Sequence, residues 1–306
     1  MTETFDKNIV CCFLYPISKY GYPPPAKDMV KHIREMSEMG FRSIELEGIR
    51  KDHLLEVVSR KDEIKSVLEE LELEVPYFCT VLPGLSSPDA SVKQENIELF
   101  RKGCEMAQAL GSKGVLDNGP LPPWIFPDDI PVARHYDAEV LGKARISEHI
   151  DWDVYWKGLV ATMQELCDIA ADHGLTYQIH PADGVLASNT DGFLYLAEHV
   201  NRSNLRFNFD TANLFVRKEN LQLALLRLSK YIDYIHISDN RGHRTEHLPI
   251  GKGSIEWDTF FKTLKQANFD GLIGIDVGGS ESEVGNLEEA YIDTYHKIKH
   301  YQDEIG

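Results

Sequence analysis

The sequence predicts an α/β protein built as an eight-stranded parallel (β/α)8 barrel, and three observations carry that prediction. Eight short apolar segments read as strands. Nearly all of them alternate with amphipathic helical patterns, which calls for parallel strands joined by crossovers. The 306 residues accommodate eight such units, which need about 250 residues or more. An open doubly wound sheet is the competing architecture. It usually carries a glycine-rich phosphate loop after its first strand, and "CCFLYPISKYGYPPP" is not one.

In chain order the strand segments are "IVCCFLY", "RSIELEG", "VPYFCT", "KGVLDNG", "LTYQIHP", "LRFNFDTAN", "YIDYIHISD" and "GLIGIDVGG". Before the second, Met29, Ile33 and Met36 follow helical spacing, and Gly40 suits a left-handed C-terminal cap. Before the fourth, "NIELFRKGCEMAQALG" carries Ile97, Phe100 and Cys104 as its apolar stripe. "LCDIAADHG" feeds the fifth strand. A last helix carries Leu287, Tyr291, Tyr295 and Ile298. The rhythm breaks once, from about Pro120 to Ile150, where "PLPPWIFPDDIP" is unsuited to regular structure. A loop that long after strand four is expected to serve as a pocket wall or lid. Nothing else divides the chain, so residues 1–306 are expected to form one barrel domain.

Composition excludes several classes of function. A net charge of −17 repels phosphate backbones over the whole surface, which argues against a nucleic-acid binder. No apolar run approaches the roughly 20 residues that cross a bilayer. The N-terminus lacks a signal pattern, so a cytoplasmic protein without a membrane partner is expected. The five cysteines form no C-x-x-C pair and mostly fall in apolar stretches, which suits reduced core thiols.

In a parallel barrel the strands all end at one face, where the loops build the site. Residues two apart on a strand share a side. Glu45 and Glu47, Gln178 and His180, Asn208 and Asp210, and His236 and Ser238 are such pairs at or near strand ends, and Asp276 ends "LIGID". Carboxylates converging on one mouth repel one another unless a cation joins them. Gln178, Asp210, His236 and Asp276 supply three oxygen donors and one imidazole. That mixed set suits one divalent ion: Mn²⁺, Co²⁺, Mg²⁺ or Zn²⁺.

The segments "QIHP", "NFDTANL", "IHISDNRGHRTEHLPIGKGSIEW" and "GLIGID" resemble the sugar isomerase and epimerase families with a xylose-isomerase-like TIM barrel. The resemblance runs from about Ala26 onward. It implies a divalent ion held at the ends of strands five to eight, by residues that fall here on Gln178, Asp210, His236 and Asp276. It also implies substrate contacts from His180 and from the loop with Arg241 and His247; Glu47 and Asn213 are taken with them. The sequence departs from the family at Gln178, where a glutamate is usual, and at Asp276, a shorter acid. An amide is no general base, so the symmetric two-base mechanism is not expected. Asn213 stands where relatives often carry histidine, which argues against a multi-zinc nuclease. Arg241, His243, Arg244 and His247 are expected to form a positive rim suited to a polar or anionic sugar, and Trp124, Tyr15 and Phe78 to offer apolar walls.

The function expected is a metal-dependent isomerase or epimerase of a sugar or sugar derivative, working through an enediolate. Asp276 is its base, and His180 orients a hydroxyl. A lyase that dehydrates a keto-polyol, needing one base, is the first alternative. A barrel that binds sugar without chemistry is the second. Barrels of this type commonly associate, so a homo-oligomer is compatible with either.

Overall fold

In a computed structural model, which describes residues 3–127, 136 and 138–305, the eight expected strands form one closed parallel barrel. They are β1 (Ile9–Cys11), β2 (Ser43–Ile44 and Leu46–Ile49), β3 (Tyr77–Val81), β4 (Gly114–Asn118), β5 (Thr176–His180), β6 (Leu205–Phe207 and Phe209–Asp210), β7 (Tyr234–Ile237) and β8 (Leu272–Ile275). Each pairs with the next, and β8 closes on β1 with Ile9 opposite Ile273 and Cys11 opposite Ile275. The regular pairing of β2 and β6 is interrupted at Glu45 and Asn208, whose side chains are buried.

The outer ring consists of α1 (Met29–Glu38), α2 (Lys61–Glu70), α3 (Ala90–Leu110), α4 (Trp152–Asp172), α5 (Thr190–Val200), α6 (Leu221–Leu228), α7 (Trp257–Gln266) and α8 (Leu287–Ile305). Their apolar stripes face the sheet. Met29, Ile33 and Met36, then Ile97, Phe100 and Cys104, and finally Tyr291, Tyr295 and Ile298 are all buried. Gly40 has φ +109°, and a Cβ there would meet the Glu3 carbonyl oxygen at 2.4 Å, so both the conformation and the close approach require glycine. None of the described helices is long and apolar enough to cross a membrane.

Two strand segments end sooner than their apolar runs. β1 stops at Cys11, and a helix, Leu14–Tyr20, takes up the rest of "IVCCFLY". β6 stops at Asp210, whose Oδ1 accepts from Asn213 N at 2.7 Å and so caps a helix over Thr211–Val216. The segment from 120 to 150 contains more regular structure than its prolines predict. Trp124–Ile125 pairs antiparallel with Arg145–Ile146, and Ala138–Leu141 is a helical turn. Residues 128–135 and 137 of the expected lid lie outside the described residues.

The barrel interior holds its own cluster of Val10, Cys12, Tyr77, Cys79, Leu116, Tyr234 and Leu272, separate from the larger core between sheet and helices. Tyr77 and Tyr234 stack in it with ring centroids 4.3 Å apart. Polar residues lie below and above this layer, and those above form the candidate site.

Candidate active site

At the mouth of the barrel five side chains from β5 to β8 and the β7–α7 loop converge: His180, Asp210, His236, His247 and Asp276. All five are buried. Asp210 Oδ2 lies 3.7 Å from His180 Nε2 and 3.8 Å from His247 Nε2. Asp276 Oδ2 lies 3.6 Å from His247 Nε2 and 3.9 Å from His236 Nδ1. These separations are too long for hydrogen bonds. They are close to what donors around one cation adopt when each sits at about 2.0–2.2 Å from it.

The surroundings aim the lone pairs inward. His180 Nδ1 is 2.7 Å from Asn208 Oδ1, and Asn208 uses its amide N–H on the Tyr234 carbonyl. The hydrogen of His180 is therefore assigned to Nδ1, and Nε2 faces the cluster. With that assignment Nε2 accepts from Asn213 Nδ2 at 3.1 Å, a bond that an ion at Nε2 would displace. Burial holds the His180 pKa below its usual value, against the pull of Asp210. His236 is oriented by Glu45, whose Oε2 is 3.1 Å from His236 Nε2 and also accepts from Tyr234 Oη at 3.0 Å. That leaves Nδ1 for the cluster, in the carboxylate–histidine arrangement that commonly backs a metal ligand. Burial disfavours the charged form of His236, but Glu45, Asp276 and Asp210 outweigh it and push the pKa up to about 9. Asp210 spends Oδ1 on its helix cap, while Oδ2, like His236 Nδ1, is buried with no hydrogen-bond partner among the described residues. Two orphaned donors facing histidine and carboxylate atoms are what a cation site requires before the cation is added. The residues fit a divalent ion.

Gln178 does not join this set. It faces into the barrel as expected, but one layer lower, and its amide donates to the carboxylate of Asp233 just before β7 starts. Tyr77 Oη also donates to Asp233 at 3.2 Å, and Arg206 lies 3.6 Å away. Gln178 lies on the side of β5 that the sequence rule gives, and the strand runs two residues further to end on His180. His180, expected as a substrate contact, stands in the cluster beside Asp210.

The positive rim is also corrected. Arg241 Nη1 lies 2.8 Å and Arg244 Nε 3.2 Å from Oε1 of buried Glu246, so the two cations share one carboxylate while their side chains stay largely exposed. His247 is wholly buried, held by its backbone N–H on Ser282 Oγ at 2.8 Å, with Nδ1 3.4 Å from Glu281. Most of the "SDN…GKGSIEW" motif proves to be a latch. Asp239 accepts from Asn240 N, Gly251 N, Ile255 N and Trp257 Nε1 at 2.8–3.1 Å. A Cβ on Gly253 would come within 2.3 Å of Asp239 Oδ1. The latch folds the loop back so that His247 reaches the cluster.

Above the cluster is a cavity of about 50 Å³. Glu47 lines it, beside Asn118 at the end of β4, with Leu14, Ile17 and Tyr22 as apolar wall. Asn118 pairs with His180 in the β4–β5 register, and the two-apart rule on "LDN" would have found it. Nothing in "YGYPPP" signals Tyr22. Phe78 and Tyr15 pack in the core, and Trp124 lies against Gly184 outside this cavity.

Comparison with known proteins agrees with this architecture. A sequence model of the xylose isomerase-like TIM barrel matches residues 33–300. The chain belongs to that family. An L-ribulose 3-epimerase of Methylomonas sp. is 28% identical over 127 residues, 40% of this chain and 42% of the relative. An L-ribulose-5-phosphate 3-epimerase of Salmonella heidelberg is 22% identical over 88% of this chain and 89% of its own. The chain spans only about two fifths of the length of the first of these relatives. A D-allulose 3-epimerase from Methylomonas sp., crystallised with D-allulose, shares the fold with a TM-score of 0.73 at 19% identity, covering 98% of this chain and 100% of that one.

Proposed function

We propose that the protein is a divalent-metal-dependent isomerase or epimerase of a sugar or sugar derivative. One observation carries this reading: the buried convergence of His180, Asp210, His236, His247 and Asp276, with Asp210 Oδ2 and His236 Nδ1 without a hydrogen-bond partner among the described residues. The ion would be held by His180, Asp210, His236 and Asp276, with His247 beside them. When bound it polarises the carbonyl and hydroxyl oxygens of the sugar and favours the negative charge that develops there.

The chain's own groups supply the proton chemistry. Asp276 takes the proton from the carbon beside the carbonyl, and that bonding pair becomes the double bond of an enediolate. Glu47, the carboxylate that faces the cavity from β2, returns a proton. Return to the other face of the same carbon gives an epimer, and return to the neighbouring carbon gives the isomer. Glu45 and Asn208 hold the two imidazoles in the tautomers this needs. Asn213, beside His180, contacts a sugar hydroxyl. From the segment after β4, Pro120, Leu121 and Tyr136 wall a cavity that adjoins this pocket, and Trp124 packs against Gly184. The relatives named above, epimerases of ribulose, its phosphate and allulose, support the substrate class. The five buried free thiols support a reducing, cytoplasmic setting.

A lyase reading is favoured by one particular feature: β5 ends in an imidazole rather than a carboxylate, so Asp276 is the acid–base carboxylate among the proposed ligands. The deciding experiment is a panel of ketoses, aldoses and keto-polyols incubated in D₂O with the Mn²⁺-loaded protein and followed by NMR. Deuterium at the carbon beside the carbonyl, with an epimer or isomer formed, supports the proposal. Loss of water supports the lyase. No exchange on any member, with one ion bound per chain, overturns both.

A further inference from the structure

Next to the cavity over the cluster lies a second one of about 90 Å³, and the two share Tyr22, Val81, Asn118 and Ala182 as lining. Its wall includes Arg50, the first residue after β2. Arg50 has φ +59°, a left-handed conformation uncommon for a residue other than glycine, asparagine or aspartate. Such a conformation costs of the order of 1–3 kcal/mol and persists where the surroundings hold it, often at binding sites. The Nε of Arg50 is buried and has no hydrogen-bond partner among the described residues, and none of the described carboxylates forms an ion pair with it.

Three other described arginines near the mouth have carboxylate partners. Arg217 pairs with Asp183, and Arg241 and Arg244 pair with Glu246. Two acids also line the second cavity, and neither competes for the same role. Asp183 is taken by Arg217 and Thr245. Asp117 is buried, accepts from Leu82 N at 3.3 Å, and is pushed by burial well above the usual carboxylate range, towards its neutral form. A guanidinium uncommitted among the described residues thus belongs to the wall of a cavity that adjoins the one over the ligand cluster, in a protein whose net charge is −17.

We infer that Arg50 is a specificity residue: it receives an anionic end group, a carboxylate or a phosphate ester, of a substrate whose reacting carbons lie over the cluster. The guanidinium fork matches either oxyanion. The inference rests on the sugar-processing reading above and narrows it to sugar acids or sugar phosphates.

The test measures binding, not turnover, with three linear polyols that share a carbon skeleton and differ in one end: sorbitol, D-gluconate and sorbitol 6-phosphate. Titration calorimetry is run on Mn²⁺-loaded wild type, on Arg50→Asn, which tolerates a positive φ, and on Arg50→Lys. At least one anion should bind wild type tenfold or more tighter than sorbitol. Arg50→Asn should bring that preference to within twofold, and Arg50→Lys should restore part of it. Whichever anion gains distinguishes the sugar-acid from the sugar-phosphate source. Anions that bind no tighter than sorbitol, or a preference untouched by Arg50→Asn, overturn the inference. The Mn²⁺ content of each sample is read separately: loss of the ion from wild type would fail the sugar-processing reading, while a full ion with no anion preference fails only Arg50.

Discussion

The floor and the mouth of the barrel both bury polar side chains on the inner face of the same strands, and they do so in opposite ways. At the floor Asp233, itself partly exposed, accepts from the Gln178 amide and the Tyr77 hydroxyl and forms an ion pair with the Arg206 guanidinium. At the mouth Asp210 and Asp276 have histidine nitrogens 3.6–3.9 Å away, and Asp210 Oδ2 and His236 Nδ1 lack hydrogen-bond partners among the described residues. A carboxylate satisfied by its neighbours holds a fold together. Carboxylates set among histidine nitrogens at that spacing are arranged for something that is added. Tyr234 lies between the two layers and donates to Glu45, so the interior packing also orients His236.

Substitutions at the two levels should separate cleanly. The largest effect is expected at the mouth. Asp276→Asn removes the proposed base without changing its size, and deuterium incorporation on the turned-over sugar should fall by at least about 10²-fold. Exchange at the wild-type rate would move the base to Glu47. Next comes the latch, which supports the mouth without touching it. Asp239→Ala leaves buried donors unsatisfied and should cost about 3 kcal/mol or more in urea denaturation. Restoration of stability by added Mn²⁺ alone would show that the latch matters only through the site.

At the floor the effect should be smaller and confined to stability. Gln178→Leu should cost about 0.5–1.5 kcal/mol, the net worth of one hydrogen bond, because partly exposed Asp233 keeps Tyr77 and Arg206. Gln178→Glu, which would strengthen a metal shell had Gln178 belonged to it, sets a second carboxylate against Asp233 and should destabilise the protein. The smallest effect is a pH dependence at the mouth. The folded pKa of His236 is raised to about 9. In the metal-free protein its stabilising contribution is therefore full below about pH 6.5, the unfolded value, and lost as pH rises to about 9. The melting temperature of metal-free protein should fall across that window while Mn²⁺ affinity rises, since the ion displaces a proton. His236→Asn should flatten both curves.

All eight strands and the side each presents to the interior were legible in the sequence, because apolar runs and a two-residue alternation report exactly those local properties. The level of a residue along the strand was not. Gln178 and His180 share a face, and only the β5 register with β4 and β6 says which of them reaches the mouth. The roles of Arg241 and His247 were hidden for a related reason. Both lie in one polar loop, and the Asp239 latch, assembled from residues up to eighteen apart, turns one inward and leaves the other on Glu246. Arg50 gave no sequence signal, since a left-handed arginine looks like any charged helix start.

The central claim is that His180, and not Gln178, holds the ion from the fifth strand. Calorimetric titration of Mn²⁺ into metal-free wild type, His180→Gln and Gln178→Leu tests it most directly. The account predicts one ion per chain in wild type, binding weakened by about 10²-fold or more in His180→Gln, and binding within twofold of wild type in Gln178→Leu. Full affinity in His180→Gln together with loss of the ion in Gln178→Leu would contradict it.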